Sequence, residues 1–212
     1  MATSDGSVPT IPRSGKVTWA IAWPMLTVIG KAAWRLETEI DDGFPAAPYV
    51  LASNHFSQLD PPLIGAVLRR PLIFLALDEL TSANRFLAWA TTTYGSILVS
   101  RDRRPVAAVR AALRALAAGE PIGVFPEGRR ATRWGAEPVK RGAAWLANQA
   151  GVPLVPVAIV GTDRVLGIDN RLQRGSIRVS VGPALYADPA AADPVAEIMG
   201  RWRQWIDIRL GG

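Results

Sequence analysis

The chain has 212 residues, of which 49% are hydrophobic and 20% are charged, a balance that favours one folded domain and argues against disorder. Its formal net charge of +6 is carried almost entirely by arginine, which is typical of proteins that meet nucleic acid, an anionic membrane or an anionic substrate, although a solvated cationic surface also explains it. With no cysteine and a single histidine, His55, the sequence excludes a disulfide framework, a cysteine nucleophile, and zinc sites built from thiolates or from several imidazoles.

The N-terminal part of the chain is divided into a lead and an apolar run. Residues 1–15 are rich in Ser, Pro and Gly, which predicts a flexible lead. The apolar run at residues 17–30 is shorter than the roughly 20 residues that a membrane-spanning helix needs. Three tryptophans lie in or beside it among Arg and Lys residues, and such rings favour the headgroup zone of a bilayer. We therefore expect residues 16–35 to form one or two helices at a membrane interface; the alternative is a core helix with buried tryptophans.

Beyond residue 35, β-branched and apolar runs alternate with helical patterns. The predicted strands are residues 49–52, 72–77, 96–99, 122–125, 154–160 and 177–181. The predicted helices are residues 61–68, 84–91, 105–118, 139–150 and 193–210, the last with an apolar stripe that we expect to face the core. This alternation predicts a single α/β domain over residues 36–212, with a mixed, largely parallel central sheet flanked by helices. Pro153 and Pro156 indicate that the strand at 154–160 is an edge strand or an irregular one, because proline donates no ladder hydrogen bond.

One pair of polar residues follows the first predicted strand. His55 comes shortly after residues 49–52, and Asp60 lies at the start of a helix, where the sequence predicts an N-cap. A tight turn would let the carboxylate accept from one ring N–H and raise the basicity of the other ring nitrogen, which is the arrangement of a general base. The positive end of the same helix would favour a developing oxyanion. The residues alone leave open that Asp60 is only a cap and His55 only a structural histidine.

A second polar segment, residues 125–131, follows the strand predicted at 122–125. Its Pro and Gly residues predict a turn that projects Glu127 and Arg130 from a loop. Arg101 ends the strand predicted at 96–99 in the same way. Arginines beside strand ends suit a phosphate group, and the alternative is a solvated turn.

Taken in order, four segments resemble the conserved blocks of the glycerolipid acyltransferase family, whose best-known members are the lysophosphatidic acid acyltransferases. The first block, NHxxxxD, is matched at Asn54, His55 and Asp60. The third, FPEGTRS, is matched at Phe125, Pro126, Glu127, Gly128 and Arg130, while Arg129 and Ala131 replace its Thr and Ser. Residues 94–101 and 152–157 are similar to the second and fourth blocks. The resemblance covers roughly residues 48–160.

The resemblance implies an enzyme of phospholipid biosynthesis. The expected reaction moves a fatty acyl group from acyl-CoA or acyl-acyl carrier protein to the hydroxyl of lysophosphatidic acid, giving phosphatidic acid. The implied catalytic residues are His55, as the base, and Asp60, which orients it. The implied substrate-binding residues are Arg101, Glu127, Gly128 and Arg130, with the arginines on the acceptor phosphate. No metal ion or cofactor is implied, and the expected location is the cytoplasmic face of a membrane, as a peripheral or monotopic protein.

Three alternatives remain beside this expectation. The same chemistry on a different lipid acceptor, such as another lysolipid, a glycolipid or an amino-acid lipid, is the nearest. A non-catalytic membrane-binding module that keeps the fold is the second. Nucleic-acid binding is the third, and we expect no nucleic-acid partner because the arginines lie in the family-like blocks rather than among exposed aromatic residues.

Overall fold

The computed structural model of the protein describes residues 8–77, 96–99 and 106–211. Its strands are β1 (Glu37–Ile40), β2 (Val50–Ser53), β3 (Ile73–Leu77), β4 (Ile97–Val99), β5 (Ile122–Val124), β6 (Leu154–Val160) and β7 (Arg178–Val181). Its helices within those ranges are α1 (Arg13–Trp34), α2 (Asp60–Leu68), α3 (Val106–Ala117), α4 (Gly142–Ala150), α5 (Thr162–Val165) and α6 (Pro194–Leu210). Each predicted strand is confirmed to within one residue at either end, whereas β1 and α5 have no counterpart in the sequence predictions. The helix predicted at residues 84–91 lies outside the described residues.

The strands form one sheet in the order β1-β7-β6-β2-β5-β3-β4, in which only the β6–β7 pair is antiparallel. Helices cover both faces, because successive residues of a strand point to opposite sides. Val50 and Ala52 of β2 pack with α3, α4 and α6, whereas Tyr49 and Leu51 pack with α2 and the end of α1. The predicted α/β class, with its mixed and largely parallel sheet, is confirmed.

Of the two alternatives predicted for β6, the edge position is wrong, because β6 lies in the centre of the sheet between β7 and β2, whereas the irregular strand is confirmed. The carbonyl of Pro156 accepts from the N–H of Gly182, so the main-chain groups of this proline face β7. Regular pairing ends there: residues 155–156 of β6 lie opposite residues 182–184, between a pair at Val157 and a bridge at Leu154. The missing N–H of Pro156 therefore falls in a bulge, where no ladder hydrogen bond is lost.

Helix α1 is one continuous helix that packs on α2, beginning three residues before the predicted segment. Trp19 and Trp34 are buried, and a Cβ at Gly65 of α2 would lie 2.7 Å from the Trp19 ring, so the contact between the helices requires glycine there. The prediction that these rings lie among lipid headgroups is wrong for Trp19 and Trp34, since both face the protein. The outer face of α1 instead carries exposed aliphatic side chains, which are those of Val17, Ile21, Met25 and Val28. None of the described helices is both long and apolar enough to cross a membrane.

The C-terminal helix α6 carries its apolar stripe against the core, as expected. Ile198, Met199, Trp202 and Ile206 are buried. The indole N–H of Trp202 donates to the carbonyl of Ala52 at 2.9 Å, which fixes α6 to β2 close to the end of the strand. The carboxyl ends of β2, β5 and β6 lie at one edge of the sheet, because these strands are parallel.

Candidate active site

His55 and Asp60 form a hydrogen-bonded pair at this edge. Nδ1 of His55 lies 2.9 Å from Oδ2 of Asp60. A carboxylate only accepts hydrogen bonds, so Nδ1 carries the proton and Nε2 presents its lone pair. Nε2 makes no hydrogen bond to any residue that the structure describes, and the His55 side chain is 15% exposed. The sequence-predicted pair is therefore brought together, with Nδ1 held by the carboxylate and Nε2 without a partner among the described residues.

The side chain of Asp60 accepts more hydrogen bonds than the side chain of an N-cap residue ordinarily does. The structure places Leu59 at the N-cap and Asp60 at the first position of α2, so the predicted N-cap is displaced by one residue. Oδ2 of Asp60 also accepts from the N–H groups of Phe56 and Ser57, both at 2.8 Å. The carboxylate is fully buried, and the positive end of α2 acts on it. The positive end of α2, which we expected to favour an oxyanion, therefore acts first on the charge of Asp60.

Asn54 extends the sheet beyond the end of β2. Its side-chain amide donates to the carbonyl of Ile159 and accepts from the N–H of Ile159, both at 2.8 Å. The side chain thus pairs with β6 as another strand residue would. This leaves the main chain free to turn at His55, so Asn54 is a positioning residue that the sequence named only through its family motif.

The segment at residues 125–131 holds the main chain of His55 on both sides. The N–H of His55 donates to Oε2 of Glu127 at 2.6 Å, and its carbonyl accepts from the N–H of Ala131 at 2.8 Å. Glu127, which we expected to shape the substrate site, thus binds the backbone of the candidate base. A turn closed by the N–H of Gly128 and the carbonyl of Phe125 places it there.

The ring of His55 stacks on an aromatic side chain of the same segment. Its centroid lies 4.0 Å from that of Phe125, with 16° between the planes. Phe125 stacks in turn on Phe74 of β3 at 5.4 Å. A Cβ at Gly123 would clash with the Phe74 ring, so glycine in β5 makes room for this column. Sequence reasoning missed the column, because the three aromatic residues are far apart in the chain.

Glu127 has an unusual electrostatic position. Its side chain is 2% exposed, and Oε1 has no hydrogen-bond partner among the described residues. Burial raises the pKa of Glu127 to about 7, opposed by the hydrogen bond from His55 and supported by the nearby negative charge of Asp60. A substantial fraction of Glu127 is therefore protonated at neutral pH.

Two of the remaining predicted substrate-binding residues, Gly128 and Arg130, lie in the segment that holds the main chain of His55. Gly128 has a φ of 74°, a backbone conformation that residues with a side chain rarely adopt, so this turn favours glycine. Arg130 is half-exposed and donates to Oδ1 of Asn170 at 3.4 Å, and within the described ranges no carboxylate pairs with it. Arg101 lies outside the described residues.

Ser57 has a structural role at this edge. Its hydroxyl donates to the carbonyl of Leu166 at 2.6 Å and accepts from the N–H of Leu59 at 3.1 Å. A serine engaged in this way is not placed as a nucleophile. In the part of the chain that the structure describes, no group of three or more acidic or histidine side chains gathers as a metal site.

The chain is similar to known proteins over most of its length. The model of a family described as Acyltransferase matches residues 35–160, which is more than half of the chain. A 1-acyl-sn-glycerol-3-phosphate acyltransferase alpha of Homo sapiens is 32% identical over 163 residues, covering 75% of this chain and 57% of the human protein. A chloroplastic 1-acyl-sn-glycerol-3-phosphate acyltransferase of Brassica napus is 28% identical, covering 72% of this chain and 46% of that protein. The chain thus spans about half the length of these curated relatives.

The fold also has a counterpart among solved structures. A crystal structure of the 1-acyl-sn-glycerophosphate acyltransferase PlsC from Thermotoga maritima aligns with a TM-score of 0.66. The alignment covers 92% of this chain and 95% of that one at 17% sequence identity, a level at which the likeness concerns the fold.

Proposed function

The chain belongs to the acyltransferase family, and from this premise we propose that it transfers a fatty acyl group from a thioester to the hydroxyl of lysophosphatidic acid, giving phosphatidic acid. The donor would be acyl-CoA or acyl-acyl carrier protein. The observation that carries the proposal is the state of His55: Nδ1 is held by a buried carboxylate, and Nε2 is left to take a proton.

The proposed reaction begins with proton transfer. The acceptor hydroxyl gives its proton to Nε2 of His55 as its oxygen attacks the thioester carbonyl carbon. The buried carboxylate of Asp60 stabilises the imidazolium that forms. Because the chain has no cysteine and Ser57 is engaged in structural hydrogen bonds, direct attack by the acceptor fits better than an acyl-enzyme.

The second step releases the thiol. The tetrahedral intermediate collapses, the carbon–sulfur bond breaks, and the leaving thiolate takes the proton from the imidazolium. The products are the acylated lipid and the free thiol, and His55 returns to its starting state. No metal ion or redox partner enters this balance.

The choice of a phosphate-bearing acceptor rests on Arg130 and on the relatives. Arg130 follows β5 at the same edge as His55 and, among the described residues, has no carboxylate partner, so its guanidinium is available to an anion. Arg101 would be the second such group. The matched relatives are named for 1-acyl-sn-glycerol-3-phosphate, which is this kind of acceptor.

A membrane surface would supply both the acceptor and the acyl chain. The exposed aliphatic face of α1, with Ile21 at 71% exposure, suits the interface of a bilayer, and Lys16 and Lys31 lie on the same helix. We propose peripheral or monotopic attachment at the cytoplasmic face through this helix.

The test is release of free thiol from palmitoyl-CoA, with lysophosphatidate added or withheld, by wild type and His55→Gln. Acceptor-dependent release that is lost in His55→Gln would support the proposal, provided tryptophan fluorescence shows that the variant is folded. Release without acceptor would point to a thioesterase. Release only with another lysolipid or a glycolipid would keep the chemistry and replace the acceptor. Vesicle binding without turnover on any acceptor or donor would indicate a non-catalytic module.

A further inference from the structure

The loop between β6 and β7 presents apolar side chains to solvent beside the candidate active site. Leu166 and Leu172 form an antiparallel bridge, which makes residues 166–172 a small hairpin. Ile168 and Leu172 are 46% and 66% exposed. Two large aliphatic side chains on one short exposed hairpin are costly to keep in water, and this favours a surface that covers them.

The hairpin is hydrogen-bonded to the two segments that surround His55. The Ser57 hydroxyl, two residues from His55, holds the carbonyl of Leu166 at 2.6 Å. At the tip, Oδ1 of Asn170 accepts from Arg130. The hairpin thus contacts Ser57, in the same turn as His55, at its base, and it contacts Arg130, the candidate phosphate-binding arginine, at its tip.

The charges around the hairpin identify the covering surface. Three exposed arginines, Arg164, Arg171 and Arg174, outnumber the two aspartates, Asp163 and Asp169, and Arg130 adds a further positive charge. Aliphatic tips among arginines are typical of segments that enter the headgroup region of an anionic bilayer, where the guanidinium groups meet lipid phosphates.

Helix α1, which we propose to lie at the membrane interface, contacts the same loop. The N–H of Ile177, at the end of this loop, donates to the carbonyl of Trp34, so the C-terminal end of α1 meets the base of the loop. The C-terminal end of α1 therefore lies at the same end of the sheet as the hairpin and His55.

We propose that residues 166–172 are a second membrane contact, which inserts Ile168 and Leu172 among the headgroups of an anionic bilayer and places Arg130 at the lipid surface. The use of this contact to deliver a lysolipid phosphate rests on the proposed function, whereas the contact itself is tested without turnover.

The absence of cysteine makes the test direct. Single variants Leu172→Cys, Ile21→Cys and Ile208→Cys would carry an environment-sensitive fluorophore. Ile208, on α6, is 71% exposed and is the matched control. With vesicles of phosphatidylcholine and phosphatidylglycerol, the label at Leu172 should brighten and be quenched by spin-labelled lipid, while the label at Ile208 stays in water. A label at Leu172 that behaves like the one at Ile208, even where Ile21 enters the bilayer, would overturn the proposal.

A second measurement uses unlabelled protein. The double variant Ile168→Ser/Leu172→Ser should bind the same vesicles about ten-fold more weakly than wild type, whereas Ile208→Ser should bind as wild type. Equal binding by the double variant would contradict the contact. If wild type enters vesicles through Leu172 and yet acylates no lysolipid, the proposed function fails while the membrane contact stands.

Discussion

Replacing Glu127 with glutamine isolates the energetic consequence of burying a carboxyl group against the main chain of His55. Glutamine keeps an acceptor oxygen for the N–H of His55. The hydrogen bond, which is 2.6 Å long in the wild type, can therefore still form, while the ionisable group is lost. The amide nitrogen of glutamine would lie where Oε1 now has no partner among the described residues. That difference changes the free energy of unfolding of the variant by an amount that does not depend on pH.

The pH-dependent part can be worked out from the pKa. Burial raises the pKa of Glu127 from its ordinary value of 4.5 to about 7, so the folded state holds this proton more tightly than the unfolded state. Stability from this group is complete below about pH 4.5 and is lost as the pH rises to about 7, above which it is constant. Because one pKa unit corresponds to about 1.4 kcal/mol, the loss amounts to about 3 kcal/mol in the free energy of unfolding.

The assay is urea unfolding of wild type and Glu127→Gln, followed by tryptophan fluorescence from about pH 5 to about pH 8. The difference in free energy of unfolding should shift by a few kcal/mol in favour of the variant as the pH rises. Glu37, which pairs with Arg178 on the surface, provides the control, since Glu37→Gln should give no comparable shift. A flat difference for Glu127→Gln would show that the carboxyl group is not desolvated as the structure indicates.

Three further changes test the positioning of the site. Asn54→Ala removes both hydrogen bonds to Ile159 and should lower the free energy of unfolding by about 2–4 kcal/mol, measured by urea unfolding; a loss below about 1 kcal/mol would mean that water replaces the amide. Trp202→Phe keeps most of the buried ring but leaves a carbonyl without its donor, so we expect a loss of about 1–3 kcal/mol in the same assay, and an unchanged midpoint would contradict this role. Phe125→Leu removes the ring stacked on His55 and should lower kcat about five- to ten-fold with little change in KM; a change confined to KM would place this ring against the substrate instead.

The elements that sequence reasoning found are those whose own residues carry the pattern. β6 and β7 are rich in β-branched residues, and their bounds are predicted to within one residue. β1 was missed because it has only four residues, of which Ile40 is the single hydrophobic one, so the segment is too short and too polar to stand out as a strand. The position of β6 was mistaken because the local sequence does not show which neighbour a proline faces. That depends on the register with β7, which is set by residues 157–160 and 178–181.

The contact between His55 and Asp60 could be predicted from the sequence, whereas the contact between His55 and Glu127 could not. His55 and Asp60 are joined as expected, because only five residues separate them and the turn is local. The contact from Glu127 spans 72 residues, so its direction toward a main-chain N–H depends on the pairing of β2 with β5. A charged residue in a Pro-Gly turn is ordinarily expected to face solvent, and here the fold buries it instead.

The two departures from the third family-like block fall at positions whose side chains the candidate site does not use. Ala131 acts on His55 through its main-chain N–H, which any residue except proline supplies. Arg129 points away and pairs with Glu137 at 2.7 Å near the surface. Both substitutions therefore leave the hydrogen bonds around His55 intact, and among the described residues Arg130 and the hairpin that holds it are better placed to affect an acceptor than positions 129 and 131.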